Sequence, residues 1–213
     1  LDEVREMSLP EEGFITILEV CGFNDWLLIL LTECGCRETI LIQPEKRSKK
    51  KTDRRDAYAL GELLWVNRQR LLAGKKIQGI RRIQLPADGE AEDRQLTVVR
   101  QRMGQQRTRT INRIKHLLRK HNLEQQQPAK GLDTQRTRKW LITLPLAAID
   151  RLEMDLLLSQ WKLWDEQLAK LELEIEKRQA QSKTAAVLAT IPGCAAYGSL
   201  ALASRIGSIE RFP

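Results

Sequence analysis

The chain has few of the residues that build metal clusters or disulfide frameworks. Of 213 residues, four are cysteine and two are histidine. Cys21, Cys34, Cys36 and Cys194 form no C-x-x-C pair, and His116 and His121 lie far from them in a basic stretch, so zinc-ligand spacing is missing. The four cysteines are expected to be buried, reduced thiols that pack as small hydrophobes. No secretory segment is visible either, which points to the cytoplasm. With 30% charged residues the chain is too polar to live in a membrane, and with 42% hydrophobic residues it has the material for one large or two small cores, which excludes disorder throughout.

What the chain has in excess is positive charge. Thirty-six Lys and Arg against 28 Asp and Glu leave a formal charge of +8, which favours an anionic partner such as nucleic acid over a neutral metabolite. It opens on Leu1 and stops at Arg211-Phe212-Pro213, where a new helix or loop should begin. The expectation is a fragment of a longer protein.

The pattern along the chain is α/β followed by α. Residues 14–20 read as a β-strand ending at the Cys21-Gly22 turn. Asn24 can cap a short helix through Glu33, and residues 38–43 read as a second strand stopped by Pro44. Strand, helix, strand is the building unit of a parallel sheet. After a basic loop through Lys51, Thr52 is a candidate N-cap for a helix whose apolar side is Ala57, Leu60, Leu63 and Leu64. Residues 1–73 thus form an α/β domain, and residues 74–89, with Gly, Arg and Pro, a linker. Residues 90–182 hold a basic helix to about His121, weak between Gly104 and Thr110, and a second long helix from Ile149 to Ala180. In the latter, Met154, Leu157, Trp161, Trp164, Leu168, Leu171 and Ile175 alternate three and four apart, the seam of a coiled coil. The two helices form an antiparallel hairpin or pair with a second subunit; both arrangements remain open at this level. Residues 183–213 read as a short helix, a Pro192-Gly193 turn and a second helix ended by Gly207, a helix-hairpin-helix-like segment whose turn lets backbone N–H groups approach a phosphate.

Asp53 and Asp56 stand three apart at a helix start and project from nearly one face, while Glu19 ends the first strand. Carboxylates converging from a strand end and a helix start suit Mg²⁺, a hard cation that takes a few carboxylates and keeps water and phosphate oxygens for its other positions. Two such ions about 4 Å apart activate the attacking oxygen and stabilise the leaving one in phosphodiester chemistry. The same residues also read as ordinary helix capping and a solvated strand end. Lys49, Lys50, Lys51 and Arg54 flank the aspartates and are candidate phosphate contacts, as are Arg107, Arg109 and Arg113 on the basic helix and Gly193 in the turn. Trp161 and Trp164 read as packing core rather than a stacking platform for bases.

Three segments resemble, in order, the catalytic half of the DEDD-type insertion-sequence transposases of the one-ten family: Glu19-Val-Cys-Gly22, Gln43-Pro44, and Lys51-Thr-Asp-Arg-Arg-Asp-Ala57 with Leu60 following. Ala189-Thr-Ile-Pro-Gly193 and Arg205-Ile-Gly-Ser-Ile-Glu-Arg-Phe-Pro213 resemble the start of that family's second conserved domain. The resemblance implies a partial RNase H-like (RuvC-like) catalytic domain, a coiled-coil connector and the beginning of a C-terminal transposase domain. The implied activity is metal-dependent DNA strand cleavage and exchange, guided by an element-encoded RNA, with Glu19, Asp53 and Asp56 as catalytic Mg²⁺ ligands and self-association through the coiled coil. The family's first aspartate and its serine nucleophile match no residue here, so the chain as given is expected to be inactive. The competing reading is a non-enzymatic nucleic-acid-binding coiled-coil protein; a third is a junction nuclease with the same acidic core. Convergence of the three carboxylates separates the enzymatic readings from the non-enzymatic one.

Overall fold

The computed structural model describes residues 12–20, 25–43, 53–75, 82–83 and 85–207, with the backbone alone at Asp53 and Asp88. They fall into two packing units, one ending at Leu85 and one beginning at Pro86. Among the described residues no helix is long and apolar enough to cross a membrane.

The first unit runs β1 (Phe14–Glu19), α1 (Asp25–Glu33), β2 (Cys36–Ile42) and α2 (Asp53–Leu72). The two strands pair in parallel, from Ile15 opposite Glu38 to Glu19 opposite Ile42, as a strand-helix-strand unit requires. Strand alternation divides the side chains between the two faces. Ile15, Ile17, Ile40 and Ile42 face α2, which covers them with Leu60, Leu63, Leu64 and Leu71. Leu41 faces the other way and is also buried, as are Leu30 and Leu31 of α1, which packs on β2.

Three details differ from the sequence reading. The second strand starts at Cys36, two residues early, because a register shift after Phe14 absorbs Arg37. Ala57 is exposed instead of joining the apolar face of α2. A helix of 20 residues is about 30 Å long and a strand of six about 20 Å, so the first turns of α2 overhang the sheet. Within the expected linker, Arg82 bridges Ile42 antiparallel, Ile83 N–H donates to the Leu41 carbonyl at 2.7 Å, and Arg82 pairs with Glu38 at 2.5 Å. The proposed caps Asn24 and Thr52 and the strand stop Pro44 lie outside the described residues.

The second unit is helical: α3 (Asp88–Lys120), a 3₁₀ turn (Glu124–Gln126), α4 (Gln135–Thr143), α5 (Ala148–Gln181), α6 (Lys183–Leu188) and α7 (Ala196–Ile206). Of the two arrangements open in the sequence, the structure has the hairpin. Asp93 meets Arg178, Arg100 meets Glu172, Arg107 meets Asp165, Arg113 meets Glu153 and Lys120 meets Asp150, an antiparallel series. The weak middle of the basic helix is continuous because polar contacts hold it where apolar ones are missing. Thr108 and Thr110 donate to carbonyls one turn back, and the Trp164 indole N–H donates to Thr110 Oγ1 at 3.2 Å.

At the connected end, Ile114, Leu117 and Leu118 of α3 pack with Leu141, Leu144, Met154, Leu157 and Trp161. The sequence reading left α4 unassigned. Its signal is the cap Thr134, whose hydroxyl accepts the Thr137 N–H at 3.2 Å, with Leu141 and Leu144 behind it. At the other end Ile175, Ala185, Leu200 and Ala203 form a second core, so α6 and α7 fold back on the hairpin. Arg94 clamps this end by donating to the Ser204 carbonyl at 2.5 Å.

Candidate carboxylate site and nucleic-acid interface

Glu19 follows Ile15 and Ile17 on the face of β1 that α2 covers, at the strand's carboxyl end. The late part of α2, from Gly61 to Leu72, lines a cavity of about 410 Å³ together with Gly13, Phe14, Ile15 and Arg37, which stand at the opposite, amino-terminal end of the sheet. Leu60 is the first residue of α2 that packs on the sheet, so the turn before it, with Asp53 and Asp56, lies off the sheet. Both Glu19 and Asp56 are half-buried. The donors are all carboxylate oxygens, the set a hard divalent cation takes. Among the described residues no group of three His, Cys, Asp or Glu is placed to hold a metal ion; the side chain of Asp53, third member of the predicted set, lies outside them.

The basic residues divide by the direction they face. Lys49, Lys50 and Lys51 lie outside the described residues. Arg54 is exposed on the first turn of α2 and lines a shallow surface with Arg55, Tyr58 and Glu62. Arg107, a predicted phosphate contact, points into the hairpin. It donates to Asp165 at 2.6 Å and to Asp133 at 2.5 Å, and both carboxylates also receive Arg138, whose guanidinium lies 4.1 Å from the Trp161 ring centroid. Its charge is matched inside the protein. Arg113 is exposed and pairs loosely with Glu153 at 3.3 Å.

Arg109 is exposed and has no acidic partner among the described residues; the same holds for Arg102, seven residues earlier, which the site reading missed. The signal for it is in the sequence: from Arg94 to Leu123 there is no acidic residue, and Arg102, Gln105, Arg109, Arg113 and His116 recur three and four apart on one face. Beside that face lies an open groove of about 710 Å³, lined by Arg100, Gly104, Gln105, Arg109 and Leu168 among others.

Gly193 is exposed at the third position of a turn closed by Cys194 N–H donating to the Ile191 carbonyl at 2.9 Å. Its φ of +83°, with Pro192 before it, defines a type II turn. The described cysteines, Cys34, Cys36 and Cys194, are free and half-buried rather than buried, because each lies at an element end; Cys36 contacts the hydroxyls of Thr16 and Thr39 at 3.5 Å.

No protein-family model matches the chain, and no curated protein matches it.

Proposed function

We propose that this chain is part of a DNA transposase of the DEDD insertion-sequence type, in which an RNase H-like unit cleaves and exchanges DNA strands with Mg²⁺ held by Glu19, Asp53 and Asp56. One observation supports the reading: Glu19 closes β1 on the face that α2 covers, and the first turn of α2, with Asp53 and Asp56, precedes the apolar contact that begins at Leu60. The reading requires that turn and the strand end to share one edge, where carboxylates from both reach one ion pair and a phosphodiester between them. DNA, and a guide RNA if the family pattern holds, is the anionic partner that the charge of +8 favours.

The test is metal binding by the full chain. Titration calorimetry with Mn²⁺ and Mg²⁺ should give saturable binding that Glu19→Gln, Asp53→Asn and Asp56→Asn each weaken by at least about tenfold, because each removes one of few charged donors. Binding indifferent to all three substitutions, or no binding, defeats the reading.

The acid-free outer face of α3 favours a second reading, a nucleic-acid-binding protein without metal chemistry. The two separate cleanly. The second keeps duplex or RNA binding, weakened by Arg102→Ala and Arg109→Ala, when the three carboxylates are neutralised, and it shows no metal dependence.

A further inference from the structure

The cavity of about 410 Å³ between α2 and the amino-terminal end of β1 is lined by neither Glu19 nor Asp56. Phe14, Ile15, Leu64 and Leu71 give it an apolar lining, to which Arg37 and Arg68 add two cations. Its volume lies in the range of small-molecule sites, which combine an apolar lining with a few convergent polar groups. Both arginines are held in place. Ile40 and Ile42 of β2 face α2, so strand alternation alone would send Arg37 to the opposite face. Arg37 is instead the extra residue where the register shifts after Phe14, and a bulge of this kind re-aims a side chain. Its stem crosses Gly13, where a Cβ would come within 2.9 Å of Arg37 Cγ and Nε. Arg68 lies 4.2 Å from the Trp65 ring centroid and donates through Nη1 to the Trp65 carbonyl at 2.8 Å. Neither arginine pairs with a carboxylate among the described residues.

Gly61 is part of the cavity wall, in the interior of a 20-residue helix. Glycine weakens a helix interior more than any residue except proline. Nothing in the chain asks for its small size, since an added Cβ would meet no atom within 4 Å. A longer side chain at 61 would stand beside Leu64, Trp65 and Arg68, three, four and seven residues on, and so would occupy the cavity. The charge of the rim selects the head group. Glu12 is exposed at the same rim, so two arginines and one glutamate leave a net +1, which matches a monoanion better than a phosphate dianion. A guanidinium fork takes a carboxylate through two parallel hydrogen bonds. We infer that this cavity binds a small amphipathic monocarboxylate, its aliphatic or aromatic body on Phe14, Ile15, Leu64 and Leu71 and its carboxylate between Arg37 and Arg68. Neither metal nor nucleic acid takes part, so the site stands whether or not the chain is part of a transposase.

Titration calorimetry of the full chain with decanoate, kept below its micellar concentration, tests it. The expected result is one saturable site with a dissociation constant of roughly 100 μM or tighter. Decanol, which has the body without the charge, and acetate, which has the charge without the body, should each bind at least about tenfold more weakly. Arg37→Gln and Arg68→Gln should each weaken decanoate about tenfold, because each removes one of two charged partners. Gly61→Leu should weaken it at least about tenfold by filling the cavity, while the thermal midpoint stays level or rises because leucine favours helix over glycine. Loss of the fold cannot produce that combination. Absence of a saturable decanoate site, decanol or acetate bound as tightly as decanoate, or binding indifferent to Gly61→Leu or to either arginine substitution overturns the proposal.

Discussion

Arg107 of α3 and Asp165 of α5 meet across the hairpin at 2.6 Å, and the other oxygen of the same carboxylate receives Arg138 of α4 at 2.6 Å. Three helices are thus tied by one side chain, midway between the two cores, where α3 has little apolar surface to offer. Asp165→Asn leaves two guanidiniums of limited exposure short of an anion, and the expected loss is about 2 kcal/mol, read as a lower thermal midpoint. Arg107→Lys should recover only part of what Arg107→Ala loses, because an ammonium lacks the planar fork that holds Asp165 and Asp133 together.

Asp165 also gives the stability a definite pH dependence. Burial pushes its carboxyl up, but hydrogen bonds from Arg107 and Arg138 outweigh that and hold it below the usual carboxylate range. A depressed folded value means that the stabilisation is fully present above the unfolded value of about 4 and is lost as pH falls through the folded one. Asp150 behaves alike at the connected end of the hairpin: hydrogen bonds from Lys120 and His121 lower it. Acid titration followed by circular dichroism should show a shallower loss of helix for Asp165→Asn and Asp150→Asn than for the unaltered chain. An acid limb unchanged by both substitutions would show that other carboxylates control it.

Arg109 makes the opposite prediction from Arg107 although the two stand two residues apart. Arg109→Ala should leave the thermal midpoint within about 0.5 kcal/mol, since the side chain is exposed with no acidic partner among the described residues. Its effect should fall on nucleic-acid binding, with the logarithmic salt dependence of affinity shallower by about one unit if it neutralises one phosphate. Equal stability losses for Arg107→Ala and Arg109→Ala would refute the division of the basic helix into inner and outer faces.

That division shows how much of the molecule the sequence carries. Apolar periodicity located both strands and the long helices, and the heptad seam correctly marked Met154, Leu157, Trp161 and Ile175 as core, because burial of apolar side chains is a local pattern with a global cause. It could not decide which arginines of α3 face inward. Arg107 and Arg109 are alike in sequence, and their difference comes from Asp133 and Asp165, tens of residues away. The middle of α3 read as weak for the same reason, since its partners are carboxylates and the Trp164 indole. In the candidate carboxylate set, the spacing of Asp53 and Asp56 was legible, but the overhang of α2 that carries them off the sheet, and leaves Ala57 exposed, follows only from the lengths of helix and strand together.

Two glycines with positive φ should respond differently to alanine. At Gly193 an added Cβ meets nothing within 4 Å, so Gly193→Ala carries only the left-handed backbone strain, about 1 kcal/mol. At Gly13, with φ of +80°, the Cβ would come within 2.8 Å of the Gly35 carbonyl oxygen and 2.9 Å of the Arg37 side chain. Gly13→Ala therefore adds a clash with backbone to the same strain, and should cost clearly more than Gly193→Ala in chemical denaturation. Equal costs would show that the β1–β2 edge shifts freely.

Trp161 separates packing from hydrogen bonding in the main core. It is 1% exposed, lies among Met154, Leu157, Ile114 and Leu141, and carries the Arg138 guanidinium over its ring. Its indole N–H is buried with no hydrogen-bond partner in the structure. Trp161→Ala leaves a large cavity and removes the ring beneath Arg138, and the expected loss is about 3–5 kcal/mol. Trp161→Phe keeps a ring for the cation and gives up an N–H that bonds to nothing, so the polar part of the change is neutral or favourable and only the lost volume counts. The expected loss is about 1–2 kcal/mol. Denaturant titration of the two variants reads the difference directly. Should the phenylalanine variant prove as unstable as the alanine one, the indole N–H must be bonded in solution, most simply to a buried water, and the inner face of the hairpin would then be wetter than its apolar lining implies.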